Sequence, residues 1–408
     1  MDLSLEGVKI IQTATAAAGP MSARLLADLG ADVIVVEHTA RKARMAQMRA
    51  AAPGGRHLGK RVIISDIPYE AQNNNRNKRN ITLNLASDEG REILYKLLET
   101  ADVFLANFRQ RELTKFKLEY ETLSKLNPRL ICAHLTGFGR KGPDRDAPGF
   151  GTTAGDSRSG FIHVIKEPEA DPAQMPMSFA DSITGLALSF GIMTALYLRE
   201  KTGVGQEVDA SLFNAMSWTI SHDVAGSLVT GKDRHAYSRK ERAVPLTNPY
   251  KTKDGRWLYI MLTANHWPRL CKAIGREDLE SDPRFEELKA RGENHLALFD
   301  ILTETFMSKT LEEWDPILNK ADLPWSRVQT LPEVINDPQA RANNFFLPMD
   351  HPTHGRIEVM TGPVKLSKTP DTIRMPAPDS GQHNEEILTD LGYTKEDIAR
   401  FLDQGVIA

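Results

Sequence analysis

Cysteine is scarce in this chain, whose 408 residues contain only Cys132 and Cys271. Two cysteines provide neither a disulfide framework nor a cysteine-based metal site. The eleven histidines are scattered, and one close pair, His351 and His354, has no third ligand beside it, so we predict no metal site. An excess of basic charge is also lacking. The formal net charge of −3 argues against a general nucleic-acid binder, which would show a basic stripe.

Long apolar runs are missing as well. Residues 186–198 form the most apolar segment, but Ser189 and Gly191 interrupt it and it is too short to cross a bilayer, so we predict a buried core helix. Residues 1–6 lack the basic and apolar stretches of a signal peptide. With 41% hydrophobic and 26% charged residues, the composition is that of an ordinary soluble protein, which we expect to be cytoplasmic.

Two common catalytic motifs are absent. Residues 13–20, between the first predicted strand and helix, contain no G-x-G-x-x-G, which disfavours an NAD site because the pyrophosphate needs those glycines for close approach. No G-x-S-x-G is present, so a serine hydrolase is unsupported. The turn is nevertheless built from small residues before a helix, and a helix N-terminus can accept another nucleotide-bearing ligand.

The first 135 residues alternate between apolar strands and helices. Strands are predicted at residues 8–11, 33–37, 80–85, 103–106 and 130–135, which indicates a parallel, doubly wound α/β sheet. Residues 38–60 are basic and predict a loop over a site. Residues 139–180 are rich in Gly, Pro and Asp and predict loops around a site.

The second half has a different pattern. A polar, irregular stretch at residues 220–245 predicts a linker, Asp254–Gly255 predicts a hairpin turn, and residues 265–320 predict helices. Two further helices are expected at residues 384–391 and 395–402. The predicted domains are therefore a large α/β domain begun by residues 1–220, a small α+β domain at 240–330, and a return to the large domain at 335–408.

Three polar features invite a functional interpretation. Asp181 precedes the apolar helix, either as an N-cap, a role that Ser182 or Thr184 would also fill, or as a desolvated nucleophile; the local pattern favours the N-cap. Residues 77–79 (Asn-Lys-Arg) predict a solvated cationic turn more than a phosphate contact. Asn107 and Phe108 follow a predicted strand, at the edge where parallel sheets bind ligands.

An ordered set of short segments favours the functional interpretation of these residues over the structural one. They are residues 5–8, 18–20, 26–34, 77–79, 101–103, 107–108, 126–131, 137–139 and 201–206. In this order they resemble the class III CoA-transferases, the family of formyl-CoA transferase and carnitine CoA-transferase. Residues 254–257 and 321–324 extend the likeness and look most like the branch that acts on 2-hydroxyacyl groups in anaerobic bacteria.

The resemblance implies a mechanism and a site. Asp181 falls on the family's catalytic aspartate, which forms an acyl anhydride and then an aspartyl-CoA thioester. Acyl-CoA is the substrate, no metal is used, and an interlocked dimer is implied. The implied CoA-binding residues are Ala16, Ala17, Ala18, Leu83, Asn107 and Phe108, with Lys115 near a family arginine and His38 at a position where relatives carry a basic residue or proline.

Departures from the family narrow the choice. Formyl-CoA transferase has a glutamine where this chain has Ala17, so formyl transfer is disfavoured. The racemases of the family need a histidine in the loop before the aspartate, and residues 148–153 contain none, so a racemase is the second choice. The 2-hydroxyacyl branch tends to have an aspartate where this chain has Gly151. A weakly catalytic subunit of a heteromer is a third possibility.

We therefore expect a donor such as succinyl-CoA and an acceptor larger than formate, either a 2-hydroxy acid or a substituted succinate, aromatic ones included. Residues proposed for the acceptor pocket are Phe150, Phe161, Met175, Met177, Trp218 and Trp325, although each one, taken singly, favours ordinary core packing.

Overall fold

The computed structural model describes residues 3–40, 67–242 and 244–408. Most of the predicted basic loop at residues 38–60, including Arg41, Lys42 and Arg44, lies outside the described residues. The chain forms two compact units. The first combines Met1–His163, Gln174–Val229 and Arg341–Ala408, and the second combines Val164–Ala173 and Thr230–Ala340.

The first unit is organised around a parallel sheet of six strands. The strands are β1 (Lys9–Gln12), β2 (Asp32–Glu37), β3 (Lys78–Thr82), β4 (Val103–Ala106), β5 (Ile131–Thr136) and β6 (Glu207–Ser211), in the spatial order β3-β2-β1-β4-β5-β6. This is the Rossmann-type order of a doubly wound sheet, which confirms the predicted fold class. Strands β1, β2, β4 and β5 are almost wholly buried because helices cover both faces of the sheet.

The helices of the chain alternate with these strands and continue into the second unit. They are α1 (Ala18–Asp28), α2 (Tyr69–Asn75), α3 (Asp88–Glu99), α4 (Gln110–Phe116), α5 (Tyr120–Leu126), α6 (Phe161–Ile165), α7 (Phe179–Thr202), α8 (Leu212–Thr219), α9 (Ser221–Thr230), α10 (Trp267–Ala273), α11 (Leu288–Glu293), α12 (His295–Phe306), α13 (Leu311–Lys320), α14 (Leu331–Asn336), α15 (Pro338–Ala342), α16 (Asn384–Asp390) and α17 (Lys395–Asp403).

Two apolar cores lie on opposite faces of the large sheet. Side chains of α1, α7 and α8 pack on one face. Side chains of α3, α16 and α17 pack on the other. The last two helices therefore return to the sheet on which the chain begins. Their end is anchored to β3, where the Thr82 hydroxyl donates to the Ala408 carbonyl oxygen at 3.0 Å.

The second unit is a smaller α+β body. Strands β7 (Thr247–Lys251), β8 (Trp257–Met261) and β9 (Trp325–Arg327) form an antiparallel sheet, and β7 and β8 are joined by the predicted turn at Asp254–Gly255. Helices α10, α12 and α13 contribute to its apolar core. A separate antiparallel pair, β10 (Phe346–His351) and β11 (Gly355–Met360), belongs to the first unit.

Two local expectations are wrong. The stretch predicted as a linker contains helix α9, in which the apolar residues Val224, Leu228 and Val229 stand among small and polar ones. The predicted core helix at residues 186–198 is longer, because α7 runs for 24 residues, and it is not wholly buried. Phe190 and Tyr197 on α7 are 75% and 64% exposed.

From the sequence, residues 186–198 were judged too short to cross a bilayer, but helix α7, which contains them, is longer and meets the criterion for a membrane span. Within the described residues it is the one helix long and apolar enough to cross a bilayer, and 44% of its most apolar window is buried. The core helix of a soluble protein meets the same criterion, so this is weak evidence for a span.

Candidate active site

The candidate site lies where the strand order of the large sheet reverses. Strands β1 and β4 are neighbours there, and the chain leaves them in opposite lateral directions, toward β2 and toward β5. The loops that follow the carboxyl ends of β1 and β4 thus border a crevice, the usual position for a ligand in such sheets. These loops contain residues 13–17 and residues 107–109.

The two loops are tied to each other by hydrogen bonds. The backbone N–H groups of Thr13 and Ala14 donate to the Leu105 carbonyl oxygen at 2.9 and 3.2 Å. The Asn107 side chain accepts from the Thr15 N–H and donates to the Thr15 carbonyl oxygen, both at 3.1 Å. Ala16 adopts a left-handed conformation with φ of 67°. These contacts fix the backbone that leads into the N-terminus of α1.

Helix α7 crosses α1 at very close range. At Gly185, the position that a Cβ atom would take lies 2.8 Å from the Ala18 carbonyl oxygen, so a larger residue would push the helices apart. One turn later, the hydroxyls of Ser22 and Ser189 lie 3.0 Å apart. This approach brings the first turn of α7, which contains Asp181, beside the first residue of α1.

Asp181 is not the N-cap of α7. The N-cap is Ser178, and Asp181 is the third residue of the helix, half-buried and without a side-chain capping bond. Burial raises the pKa of the Asp181 carboxyl, while an interaction with the backbone N–H of Ala18 opposes that rise by favouring the charged form. The carboxylate therefore faces the positive end of the α1 dipole but is only weakly solvated.

A helical turn with π-type hydrogen bonding, residues Gly151–Ser157, covers the Asp181 carboxyl from the other side. A Cβ atom added to Gly151 would lie 2.7 Å from Asp181 Oδ2, and one added to Gly155 would lie 2.5 Å from the Ala180 Cβ atom. Both glycines are therefore required for the turn to approach α7 this closely. Wide turns of this kind occur frequently at functional sites.

Asp156 is a second buried carboxyl on this turn. It is 1% exposed, and its Oδ1 atom has no hydrogen-bond partner among the described residues. Burial raises its pKa, and the negative charge of Asp181 raises it further. Nothing in the sequence distinguished Asp156 from the polar residues around it, so this part of the site was missed.

The predicted CoA-binding residues are placed as follows. Ala16 is exposed, Ala17 half-buried and Ala18 buried, where they form the entry to α1. Asn107 is engaged with Thr15, and the Phe108 ring packs against Phe116 with ring centroids 5.8 Å apart. These residues border the crevice described above.

The other three predicted CoA contacts differ among themselves. His38 follows β2 and is exposed, and Lys115 on α4 is exposed. Leu83 is completely buried in the apolar core, so its side chain offers no surface to a ligand, and its predicted contact with CoA stays a prediction.

The Asn-Lys-Arg segment is neither a solvated turn nor a phosphate contact. Lys78 is completely buried, and burial holds the pKa of its ammonium group well below the usual value. Its Nζ lies within 3.1 Å of four acceptor oxygens, Gln12 Oε1, Asn75 Oδ1 and the carbonyl oxygens of Pro20 and Asn74, which share its N–H donors. Asn77 binds the returning C-terminal segment through Thr372 and Met375.

Among the described residues, no group of three or more histidine, cysteine or acidic side chains is arranged to bind a metal ion. The acceptor-pocket candidates differ in their surroundings. Phe161 packs against Phe179 at 5.3 Å between ring centroids, whereas Phe150, Met177 and Trp218 are largely exposed and Trp325 belongs to the second unit.

Comparison with known proteins is consistent along the whole chain. Residues 5–384 match the family model described as CoA-transferase family III. The chain is 33% identical to (R)-2-hydroxy-4-methylpentanoate CoA-transferase of Clostridioides difficile, with 99% of each chain covered. It is 32% identical to the succinyl-CoA–L-malate CoA-transferase beta subunit of Chloroflexus aurantiacus, covering 99% of this chain and 98% of the relative.

A similar fold is found in a solved structure. The crystal structure of a CAIB/BAIF family protein from Brucella suis superposes with a TM-score of 0.80 at 29% sequence identity, covering 96% of this chain and 100% of the other.

Proposed function

The chain belongs to CoA-transferase family III, and on this premise we propose that it moves CoA from an acyl-CoA donor to a carboxylic acid through covalent intermediates on Asp181. The observation that carries this proposal is the environment of the Asp181 carboxylate. It is half-buried, interacts with the Ala18 N–H, and is covered by the backbone at Gly151. Such a carboxylate is poorly solvated yet ionisable, which suits a nucleophile.

The proposed reaction divides one exchange into four acyl transfers. The Asp181 carboxylate attacks the donor thioester carbonyl, and the C–S bond breaks. CoA leaves as the thiolate, and the donor acyl group stays on Asp181 as a mixed anhydride. The thiolate attacks the aspartyl carbonyl of that anhydride, which releases the donor acid as its carboxylate and leaves an aspartyl-CoA thioester. Each step consumes one anion and produces another, so charge is conserved.

The acceptor reverses this sequence. Its carboxylate attacks the aspartyl-CoA thioester, releases the thiolate and forms a second anhydride. The thiolate then takes the acceptor's acyl group, and the Asp181 carboxylate is regenerated. We assign stabilisation of the oxyanions in these steps to the backbone N–H groups of Ala16 and Ala17, because they lie at the N-terminus of α1, where the helix dipole favours negative charge.

We propose that CoA occupies the crevice between the loops after β1 and β4. Ala16 and Ala17 would contact it through their backbone, Ala18 would begin the helix behind them, and Asn107 would hold the loop that they form. Phe108 supplies an apolar surface, and the exposed His38 and Lys115 are available to the phosphate groups.

For the substrates, we propose succinyl-CoA as donor and a 2-hydroxy acid as acceptor. Both choices follow the names of the two relatives, one acting on a 2-hydroxy acid and the other on succinyl-CoA with L-malate. A substituted succinate is the second acceptor to assay.

We also propose that the working form is a dimer, either of this chain or with a related subunit. Helix α7 exposes Leu186, Phe190 and Tyr197, and α9 exposes Leu228 and Val229. An apolar surface of this kind is typical of an interface. Light scattering of the purified chain should give the mass of a dimer, and a related chain that co-purifies would identify a heteromer.

The remaining proposals concern organisation and location. We propose that residues 240–330 form the small domain and that residues 1–220 and 335–408 form the large one. Limited proteolysis should then cut first between residues 220 and 240. We propose a cytoplasmic protein, which a fractionation experiment would check.

The decisive experiment traps the covalent intermediate. The enzyme is incubated with succinyl-CoA and hydroxylamine, which converts an activated aspartyl group into a hydroxamate. Peptide mass analysis should find the adduct on the peptide that contains Asp181 and should find none in Asp181→Ala. Asp171→Asn, on an exposed loop, is the matched control and should form the adduct normally.

The alternatives predict other results. A racemase would form no adduct and would exchange the α-proton of an acyl-CoA with deuterated water. A non-catalytic subunit would bind CoA without either reaction. Each of these outcomes would contradict acyl transfer through Asp181.

A further inference from the structure

Asp156 is a buried carboxyl whose hydrogen bonding is incomplete. It lies on the turn Gly151–Ser157, is 1% exposed, and leaves Oδ1 without a hydrogen-bond donor among the described residues. A buried carboxyl that is not hydrogen-bonded is costly to a folded protein, and the cost is greatest when it is ionised. A side chain that serves only packing would not need this chemistry.

The turn that carries Asp156 is also the turn that touches the nucleophile. Gly151 abuts Asp181 Oδ2, and Gly155 abuts Ala180, so both ends of the contact lie in the first turn of α7. Asp181 is the charged group whose field acts on Asp156. Helix α8, which also packs against this turn, has no titratable side chain.

The remaining charges near Asp156 in sequence are occupied elsewhere. Arg158 donates from Nη2 to Asp144 Oδ2 at 2.8 Å and stacks over Phe138 and Phe213. Among the described residues no ion pair joins a cation to Asp156, and the turn itself supplies no counterion to the two carboxyls. The pKa values of two carboxyls in such an environment move apart, so that one carboxyl ionises first and the other keeps its proton to higher pH.

We propose that Asp156 is a positioning residue that must be a neutral carboxylic acid for Asp181 to exchange acyl groups with a carboxylate acceptor, an inference that rests on the function proposed above. With Asp156 neutral, the site carries one negative charge, which passes from Asp181 to the thiolate or the released acid. With Asp156 ionised, a second negative charge stands beside the point that both anions must approach. Like charges at this range oppose that approach.

The proposal predicts that activity is highest in a window of pH, with the rise and the fall caused by two different carboxyls. As pH rises, kcat/KM for the acceptor should first increase as Asp181 ionises. It should then fall as Asp156 ionises, by about tenfold for each further pH unit. A variant in which residue 156 cannot ionise should lose the fall of kcat/KM at high pH and keep its rise at low pH.

The test compares the wild type with Asp156→Asn, using succinyl-CoA as donor and 2-hydroxy-4-methylpentanoate as acceptor. The variant should keep the acid limb and lose the base limb, so that its activity exceeds the wild type at high pH. Asp156→Ser is a second neutral variant with the same expected profile, should the asparagine fail to fold. Asp171→Asn, the same change on an exposed loop, should keep both limbs.

The outcomes separate this inference from the function on which it rests. If both neutral variants keep the base limb of the wild type, Asp156 does not set the window and the inference is wrong. If the wild type forms no Asp181 adduct and transfers no CoA, the proposed function fails and the inference fails with it. A variant that loses activity equally at every pH would assign Asp156 a purely structural role and would also overturn the inference.

Discussion

Asp28 and Asp181 are acidic residues at the ends of the same helix pair, yet their surroundings are opposite. Asp28, at the end of α1, accepts four hydrogen bonds, two of them from Arg76 and the others from Arg24 and Asn77. Asp181, on α7, has the Ala18 N–H, and its neighbour Asp156 has an unpaired Oδ1. All three carboxyls lie in the first unit of the chain.

The difference separates a structural charge from a reactive one. A carboxylate whose oxygens are all bound is stabilised as an anion and has no lone pair free to attack a substrate. A carboxylate with few partners is less stable in the folded state but keeps its lone pairs available. Proteins tolerate this cost at functional sites and offset it elsewhere.

The largest effect should come from removing the proposed nucleophile. Asp181→Ala should reduce CoA transfer by roughly 10⁴-fold or more, the scale expected when a covalent nucleophile is lost. Thermal unfolding should be little changed, because Asp181 has few partners to lose. Steady-state assays with succinyl-CoA and a 2-hydroxy acid would measure the loss, and substantial residual transfer would place the chemistry elsewhere.

Breaking the fully bound pair should affect stability rather than chemistry. Arg76→Met removes two hydrogen bonds from Asp28 and one from the Met360 carbonyl oxygen, and leaves a buried charge partly unpaired. We expect a loss of about 3–5 kcal/mol in the free energy of unfolding, measured with denaturant. Arg129→Met, which breaks an exposed pair with Glu200, should cost less than about 1 kcal/mol. Equal losses in the two variants would remove the contrast.

A methyl group added at Gly151 should disturb the Asp181 carboxylate and leave the Asp28 carboxylate as it is. The added Cβ atom would lie 2.7 Å from Asp181 Oδ2, so the carboxylate must move. Gly151→Ala should lower kcat by about 10²-fold, because a displacement near 1 Å has that effect on an oriented nucleophile. Gly292→Ala on α11 has open space around it and should keep full activity. An active Gly151→Ala enzyme would mean that the close contact is not needed.

The smallest predicted effect concerns stability and pH. The pKa of Asp156 is raised in the folded state, so above its usual value of 3.8 the native protein holds a proton that the unfolded chain has lost. Wild-type stability should therefore fall with rising pH until Asp156 also ionises in the native state. Asp156→Asn removes this dependence, so the variant should gain stability relative to wild type across that interval. Denaturant unfolding from about pH 4 to pH 8 would measure it, and a difference independent of pH would contradict the assignment.

The sequence predicted the elements whose signal is local. Strand β4 was predicted at its observed limits. The start of α3 also has a local cause, because Ser87 caps the helix and accepts from the Gly90 N–H at 3.1 Å. Alternation of apolar strands and helices was sufficient to predict the doubly wound sheet. The catalytic role of Asp181 was predicted only from the family resemblance, because an acidic residue at the start of a helix is usually a cap.

The rest depends on partners far away in the chain. Lys78 was interpreted as solvated because its own neighbours are polar, yet its acceptor Gln12 lies 66 residues away. The burial of Leu83 and of Asp156 was not predicted for the same reason, since burial is decided by tertiary packing and not by the neighbouring residues. Helix α9 was missed because its apolar residues are not matched to a buried face in this chain.

The most direct test of the central claim follows an oxygen atom. The enzyme is allowed to turn over with unlabelled succinyl-CoA and an acceptor whose carboxylate carries heavy oxygen. In the proposed reaction, the second anhydride leaves one acceptor oxygen on Asp181, so the peptide containing Asp181 should gain the label. If the label passes to the released succinate while that peptide stays unlabelled, the acceptor attacks the donor thioester directly and Asp181 is not the nucleophile.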